Sequence, residues 1–90
     1  MNKERVVFHI EKVYYDLIKE GFKTSEYREF TTFWAMRILN PPRKKAWFIS
    51  GYPKNNIPRL EADIIGLYTH PGYGQGQIEI KIANVKETTI

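Results

Sequence analysis

Hydrophobic and polar positions alternate along several short stretches of the chain, and this alternation predicts five β-strands. A first strand over residues 5–10 and a clear last strand over residues 77–85 each place apolar side chains on one face. Gly66 is expected to mark a bulge or a sharp bend in the strand that contains it. Residues 86–90 are expected to form a frayed tail. The other three strands are predicted over residues 23–30, 46–50 and 60–69.

Helical spacing of apolar residues predicts two helices, both in the first half of the chain. Residues 11–20 show this spacing, and Gly21 supplies the stop expected after a last helical turn. Residues 31–39 do not alternate, and Thr31 or Thr32 can cap the start of a helix there. The predicted buried face of the first helix consists of Val13, Tyr14, Leu17 and Ile18.

Five short strands with two helices in the first half predict an α+β fold, in which a mainly antiparallel sheet curls into a small barrel. A chain of 90 residues has the length of one domain, so we expect a single domain over residues 1–90. The hydrophobic fraction of 42% is sufficient for one modest core and argues against disorder.

Composition excludes several classes of site. The absence of cysteine removes disulfides, zinc–thiolate sites and thiol nucleophiles, and it fits a cytoplasmic protein. No apolar run approaches the roughly 20 residues that span a bilayer, so no membrane partner is expected. His9 and Glu11 interrupt the first apolar run, which is not the pattern of a signal peptide. The only histidines are His9 and His70, and without a carboxylate cluster they predict neither a metal site nor a cofactor.

The balance of charge is basic. The formal net charge is +4 and the sequence pI is about 9.4, a value found in many nucleic-acid-binding domains and also in other small basic domains. Charge alone therefore leaves the partner open. A short basic run over residues 43–45 is most simply a solvated surface beside a turn.

The segment after the first helix carries the most informative motif. It reads Gly21-Phe22-Lys23-Thr24-Ser25-Glu26-Tyr27-Arg28, with the pattern Gly-x-Lys-x-x-Glu-x-Arg. Glu26 and Arg28 are two positions apart on a predicted strand, so their side chains share a face, and the turn can aim Lys23 toward that face. Such a group can hold a phosphate between its cations, or it can form an internal ion-pair cluster that pins helix to strand.

This motif, placed after a first strand and a first helix, resembles the signature of the ASCH (activating-signal-cointegrator homology) family of PUA-like β-barrels. Residues 33–39 are similar to the aromatic–Trp–x–x–Arg–x–Leu segment of a bacterial and phage-type subgroup, and residues 51–55 to its Gly-Tyr loop. The resemblance implies a PUA-like barrel with a cleft that binds RNA or a nucleotide-like ligand. Carried over to this chain, the cleft holds Lys23, Glu26 and Arg28, and its positive rim is extended by Arg37, Lys54 and Arg59.

The same resemblance leaves catalysis open. Some ASCH-like proteins are amidohydrolases that deacylate acetylated cytidine nucleosides, and others are ribonucleases. The amidohydrolases use a lysine at the position of Lys23, a threonine where this chain has Glu26, and a glutamate that Glu61 or Glu79 can supply. The neighbouring carboxylate favours a protonated lysine and so opposes this chemistry. A ribonuclease needs an acid–base pair, for which His70 is the better histidine. The sequence therefore predicts RNA or nucleotide binding first, with a small hydrolase using Lys23 and Glu26 as the alternative.

Overall fold

The computed structural model describes residues 4–51, 57–72, 74 and 76–89. Within this part of the chain, neither helix is both long and apolar enough to cross a membrane. The number, kind and order of the elements predicted from the sequence are confirmed. The elements are β1 (Arg5–Ile10), α1 (Lys12–Lys19), β2 (Ser25–Glu29), α2 (Thr32–Ile38), β3 (Lys45–Ser50), β4 (Pro58–His70) and β5 (Gln77–Thr89).

The strands form one curled sheet in the order β1-β3-β4-β5-β2. β1 pairs with β3 in parallel, while the β3–β4, β4–β5 and β5–β2 pairs are antiparallel. A parallel pair needs a crossover connection, which α1, β2 and α2 provide here. The predicted α+β class with a mainly antiparallel, barrel-like sheet is confirmed. Because β1 and β2 are the two edge strands, the sheet is a half-barrel whose open side lies between them.

The core lies on the inner face of the curl, where the helices pack. Phe8 of β1 and Phe48 of β3 are partners in the parallel register, and their ring centroids are 5.4 Å apart. Ile18 of α1 and Ile38 of α2 belong to the same core, and neither side chain has any exposed surface. Burying one such side chain stabilises the fold by about 1.5–3 kcal/mol. The largest fully buried side chains are Phe8, Ile18, Ile38, Phe48, Leu60, Ile78 and Ile80.

Two β-bulges change which residues of β4 and β5 face the core. The register shift between Ile64 and Gly66 confirms the bulge predicted at Gly66. An extra residue inverts the alternation of a strand, so Leu67 packs against the core. Strict alternation would put Leu67 on the face opposite Ala62 and Ile64, and the bulge brings it to the same face. A second register shift lies where β5 pairs with residues 61–63 of β4. It turns Val85 of β5 toward the core in the same way.

The end of the chain is not frayed as far as Thr89, because β5 continues there and pairs with β4. The greater length of β5 also explains why the predicted buried face of α1 is wrong. The buried residues of α1 are Tyr15 and Ile18, whereas Val13, Tyr14 and Leu17 of the predicted face are exposed. The Tyr15 hydroxyl donates a hydrogen bond of 2.8 Å to the Glu87 carboxylate of β5, and burial raises the pKa of Tyr15. Helix α1 therefore turns Tyr15 toward the part of β5 beyond residue 85, which the sequence pattern did not include in the strand.

Candidate nucleic-acid-binding cleft

Helix α1 ends in a hydrogen-bond pattern that turns the chain toward β2. The Gly21 N–H donates to the Ile18 carbonyl at 3.1 Å, and the Phe22 N–H donates to the Leu17 carbonyl at 2.9 Å. This pair of bonds is the Schellman motif, which needs a left-handed residue just after the helix. Gly21 supplies it with φ +84°, a conformation that glycine adopts without steric cost. The glycine of the motif thus sets the direction in which Lys23 leaves the helix.

The side chains of Lys23 and Arg28 both approach one oxygen of the Glu26 carboxylate. The Lys23 Nζ lies 3.6 Å from Glu26 Oε1, and the Arg28 Nη1 lies 3.2 Å from the same atom. The Tyr27 N–H also donates to it at 2.8 Å. Glu26 is only 7% exposed, and these partners compensate for the loss of water around its charge. The predicted shared face of Glu26 and Arg28, and the aim of Lys23 toward it, are confirmed.

Arg28 reaches from β2 across the open side of the half-barrel. Its guanidinium carbon lies 4.8 Å from the centroid of the Phe8 ring on β1 and 5.2 Å from the centroid of the Trp34 ring on α2. Thr31 caps α2 as one of the two predicted alternatives, because its hydroxyl accepts the Trp34 N–H at 3.2 Å. Cation–π contacts of this kind hold a guanidinium in one orientation. Arg28 is therefore fixed between two edge strands that do not pair with each other.

A cleft opens beside this cluster at the open side of the sheet. Lys23 and Arg28 are partly exposed in it, with side-chain exposures of 21% and 19%. The Lys23 ammonium lies 5.8 Å from the centroid of Tyr14 and 5.7 Å from the centroid of Tyr27, and both rings are more than 40% exposed. The residues that line the cleft are His9, Ile10, Glu11, Tyr14, Lys23, Glu26, Tyr27 and Arg28.

The charge of the cleft is nearly balanced. Among the described residues that line it, Lys23 and Arg28 exceed the buried carboxylate of Glu26 by one positive charge, and the exposed Glu11 on the rim offsets that excess. The two kinds of charge are placed differently, since one carboxylate is buried beneath the cations and the other stands at the edge.

His9 joins the cleft to the loop that follows β3. Its Nδ1 donates to the Gly51 carbonyl at 2.6 Å, and the Gly51 N–H donates to the Ile10 carbonyl at 3.1 Å. His9 itself is exposed. The Gly-Tyr loop predicted from the sequence begins here, but residues 52–56, with Lys54 among them, lie outside the described residues.

Two other cations predicted for the rim do not line the cleft. The Arg37 guanidinium lies 3.5 Å from the centroid of Phe33, one helical turn away on the exposed side of α2. The Arg59 side chain is bound to the Glu61 carboxylate at 2.9 Å and lies on the outer face of the sheet. Their roles in binding stay predictions, and the alternation of β4 alone could not locate Arg59, because the curl of the sheet decides what is near the cleft.

A second polar cluster lies on the outer face where β2, β4 and β5 meet. The His70 Nε2 and the Glu79 carboxylate are 2.7 Å apart, and the Ser25 hydroxyl donates to the same carboxylate at 2.8 Å. The bond from His70, followed by that from Ser25, holds the pKa of Glu79 below its ordinary value. Ser25 thus donates to a carboxylate and not to His70, so the histidine does not activate it as a nucleophile.

The carboxylates that the hydrolase alternative requires do not reach Lys23. Glu61 accepts hydrogen bonds from Thr88 and Arg59, which lower its pKa in that order, and Glu79 is held by His70. Neither glutamate is among the residues that line the cleft. Within the described residues, no three histidine, aspartate or glutamate side chains are grouped so that they could hold a metal ion.

Sequence reasoning did not single out Glu11 and Tyr14 as cleft residues. Both were treated as ordinary helix positions, since their role depends on how β1, α1 and β2 meet. Comparison with protein-family models, with curated proteins and with solved structures finds no match to this chain. The function is therefore inferred from the geometry of the cleft.

Proposed function

We propose that this protein binds RNA or a nucleotide-like ligand in the cleft between β1 and β2, as the resemblance to ASCH domains implies. The observation that carries the proposal is the convergence of Lys23 and Arg28 on the buried Glu26. Both cations are held in place before a ligand arrives, and both keep part of their surface open to the cleft. A binding site that is already ordered loses less conformational entropy on binding.

Each residue has a distinct role in this proposal. Arg28 presents a planar fork of N–H donors that matches a phosphate, whereas Lys23 acts as a compact charge beside it. Glu26 orients both cations and keeps their mutual repulsion low. The exposed rings of Tyr14 and Tyr27 flank Lys23 and offer faces on which unstacked bases can stack. Phosphate contact and base stacking together are the usual chemistry of single-stranded RNA recognition.

The same ion pairs also hold α1 to β2, and a purely structural role is the competing explanation. Two features favour binding. The cluster stands at an open edge of the sheet, where a structural pair gains nothing from being accessible. Its cations are also accompanied by exposed aromatic rings, which cost solvation free energy unless a partner covers them.

The hydrolase alternative uses the same pair, with Lys23 and Glu26 as catalytic residues. In the structure the Lys23 ammonium is 3.6 Å from the Glu26 carboxylate, which is the arrangement of an ion pair and not of a nucleophile beside its base. Among the residues that the structure describes, Glu11 on the rim is the one other carboxylate that lines the cleft. Binding without turnover is therefore the function we propose.

The test is a titration of labelled single-stranded RNA at about 50 and 200 mM salt. We expect the protein to bind at the lower salt concentration and to lose severalfold in affinity at the higher one, since binding releases counterions from the phosphates. The Lys23→Ala/Arg28→Ala variant is expected to bind about tenfold more weakly or worse at the lower salt concentration.

The matched control is Lys44→Ala/Lys81→Ala, which removes the same charge from two exposed lysines outside the cleft. Both variants must keep the circular dichroism spectrum of the parent protein. Equal affinity of the two variants would show that the cleft contributes only general surface charge. Hydrolysis of a panel of acylated nucleosides, lost on Lys23→Ala, would instead support the enzyme alternative.

A further inference from the structure

A second cationic surface lies on the outer face of the sheet, opposite the core. Trp47 of β3 is at its centre, with the Arg5 guanidinium carbon 3.5 Å from the ring centroid and that of Arg59 at 3.6 Å. Arg5 comes from β1 and Arg59 from β4, the strands on either side of β3. Two guanidinium groups at such distances cannot share one face of the ring, so the indole is stacked between them.

The carboxylates on this surface are already occupied. Glu61 accepts hydrogen bonds from Arg59 and from the Thr88 hydroxyl, while Asp63 accepts from Lys45 and from the Asn84 amide. Contact with Lys45, and then with Asn84, lowers the pKa of Asp63, so it stays charged and bound at neutral pH.

Two cations on the same surface are not tied up in an ion pair. Within the described residues, no carboxylate forms an ion pair with Arg5 or with Lys86. Arg5 is held by its contact with Trp47, whereas Lys86 is exposed on β5 beside the paired carboxylates. Lys86 attracts the Glu61 and Asp63 carboxylates through space, and the Glu4 carboxylate acts on Lys45. Among the described residues, the cations of this surface therefore exceed its carboxylates by one positive charge. The cations are Arg5, Lys45, Arg59 and Lys86, and the carboxylates are Glu4, Glu61 and Asp63.

A β-bulge makes this surface concave. Asn84 has φ +56°, a left-handed conformation that asparagine tolerates better than most residues. The bulge in β5 at this point turns its side chain onto Asp63. The resulting depression is called the outer groove here. Its lining includes Arg5, Lys45, Trp47, Glu61, Asp63, Asn84 and Lys86.

We propose that the outer groove is a second contact site for the backbone of single-stranded RNA, reached by an RNA that also occupies the cleft. This inference rests on the proposed function of the cleft. Arg5 and Lys86 bind phosphates, and Trp47 keeps the Arg5 guanidinium flat and ordered, which lowers the entropy lost on contact.

Strand β1 connects the two sites. Its outward-facing residues are Arg5, Val7 and His9, in alternation with the buried Val6, Phe8 and Ile10. Arg5 lies in the outer groove and His9 lines the cleft. Four residues of a strand span about 13 Å, a distance that a few nucleotides cover. A short RNA therefore fills the cleft alone, and a longer one follows the outside of β1 to the outer groove.

The test compares RNAs of about 5 and about 15 nucleotides, lengths that bracket single-strand site sizes. We expect the longer RNA to bind the unmodified protein more tightly. Arg5→Glu/Lys86→Glu should remove most of this gain, which is about tenfold in affinity. For the longer RNA, it should also reduce the slope of log affinity against log salt concentration by about 1.4. Affinity for the shorter RNA should stay within about twofold, because the cleft is intact.

Lys44→Glu/Lys81→Glu is the matched control, since it makes the same charge change outside both sites. Lys86→Glu alone should give a smaller loss in the same direction, and it leaves the contact between Arg5 and Trp47 in place if the double variant does not fold.

The remaining outcomes show which of the two proposals fails. A length gain that persists in Arg5→Glu/Lys86→Glu overturns the outer groove and leaves the cleft standing. Loss of binding at both lengths in this variant, with none in Lys23→Ala/Arg28→Ala, overturns the cleft and makes the groove the principal site. Polyglutamate that competes as well as RNA at equal charge overturns the assignment to RNA. Absence of binding by either RNA overturns both proposals.

Discussion

The Arg28 guanidinium and the Glu26 carboxylate lie 3.2 Å apart on the inner face of β2, where the sheet stays open toward β1. The pair joins stability to binding, because the carboxylate that fixes the guanidinium also offsets its charge. Changes at Glu26 should therefore affect the two properties in opposite directions.

Glu26→Gln should lower the free energy of unfolding and raise the affinity for RNA. The amide keeps an acceptor for the Tyr27 N–H but loses its attraction for Lys23 and Arg28. Losing charge-assisted bonds at a buried site should cost about 1–2 kcal/mol, measured by urea unfolding. Glu20→Gln is the control, because Glu20 is exposed and its side chain forms no ion pair with another described residue. Unchanged stability and unchanged affinity would contradict the role assigned to Glu26.

Gly21→Ala tests how the end of α1 positions the cleft. At φ +84° a Cβ is strained, although it meets no neighbouring atom within 4 Å. The expected cost is about 1 kcal/mol in unfolding free energy. Gly72→Ala serves as the control because it also has open space and lacks the positive φ. Equal stability of the two variants would show that the Schellman turn does not depend on glycine.

Glu11→Gln tests the sign of the ligand's charge. Glu11 is exposed on the rim, and its side chain makes no capping bond to α1. If the ligand brings a phosphate to Lys23 and Arg28, removing this carboxylate should strengthen binding at low salt severalfold, and less so at high salt. Stability should change little. A weaker affinity would mean that Glu11 accepts a bond from the ligand, as in recognition of a base edge.

Acid should destabilise the protein through carboxylates whose pKa values are lowered by folding. The hydrogen bond from His70 lowers the pKa of Glu79 from its ordinary 4.5, and Tyr15 does the same for Glu87. The unfolded chain then binds protons more readily, so this stabilisation is complete above pH 4.5 and is lost as the pH falls through the lower folded values. Unfolding midpoints measured between neutral pH and strong acid should show this loss.

Glu79→Gln should make the loss of stability with falling pH less steep, because the amide does not bind a proton in this range. This acid part of the stability curve is called the acid limb here. The variant should already be less stable at neutral pH, where the charged carboxylate makes its contribution. An acid limb as steep as that of the parent protein would show that the contacts of Glu79 with His70 and Ser25 do not favour its charged form.

Local periodicity accounts for what the sequence predicted correctly. Alternation on β2 placed Glu26 and Arg28 on one face, and Gly21 marked the turn that aims Lys23, so three residues within one short segment could be brought together without tertiary information. The α+β class followed from the order of strands and helices. These inferences depend only on neighbours in the chain.

Long-range contacts account for what the sequence did not predict. Tyr15 bonds to Glu87, 72 positions away, so the buried face of α1 could not be read from α1 alone. The bulges that bring Leu67 to the core depend on pairing between β4 and β5. Arg59 was expected at the cleft and instead stacks on Trp47, because only the curl of the sheet decides which cations are neighbours.

The most direct test of the central claim is to observe where RNA contacts the protein. Amide chemical shifts of the ¹⁵N-labelled protein would be followed while a single-stranded RNA of about 5 nucleotides is added. The account predicts that the largest changes fall on residues 9–11 and 23–28, at the two sides of the cleft. Changes centred on the β4–β5 hairpin, or spread evenly over all basic residues, would contradict it.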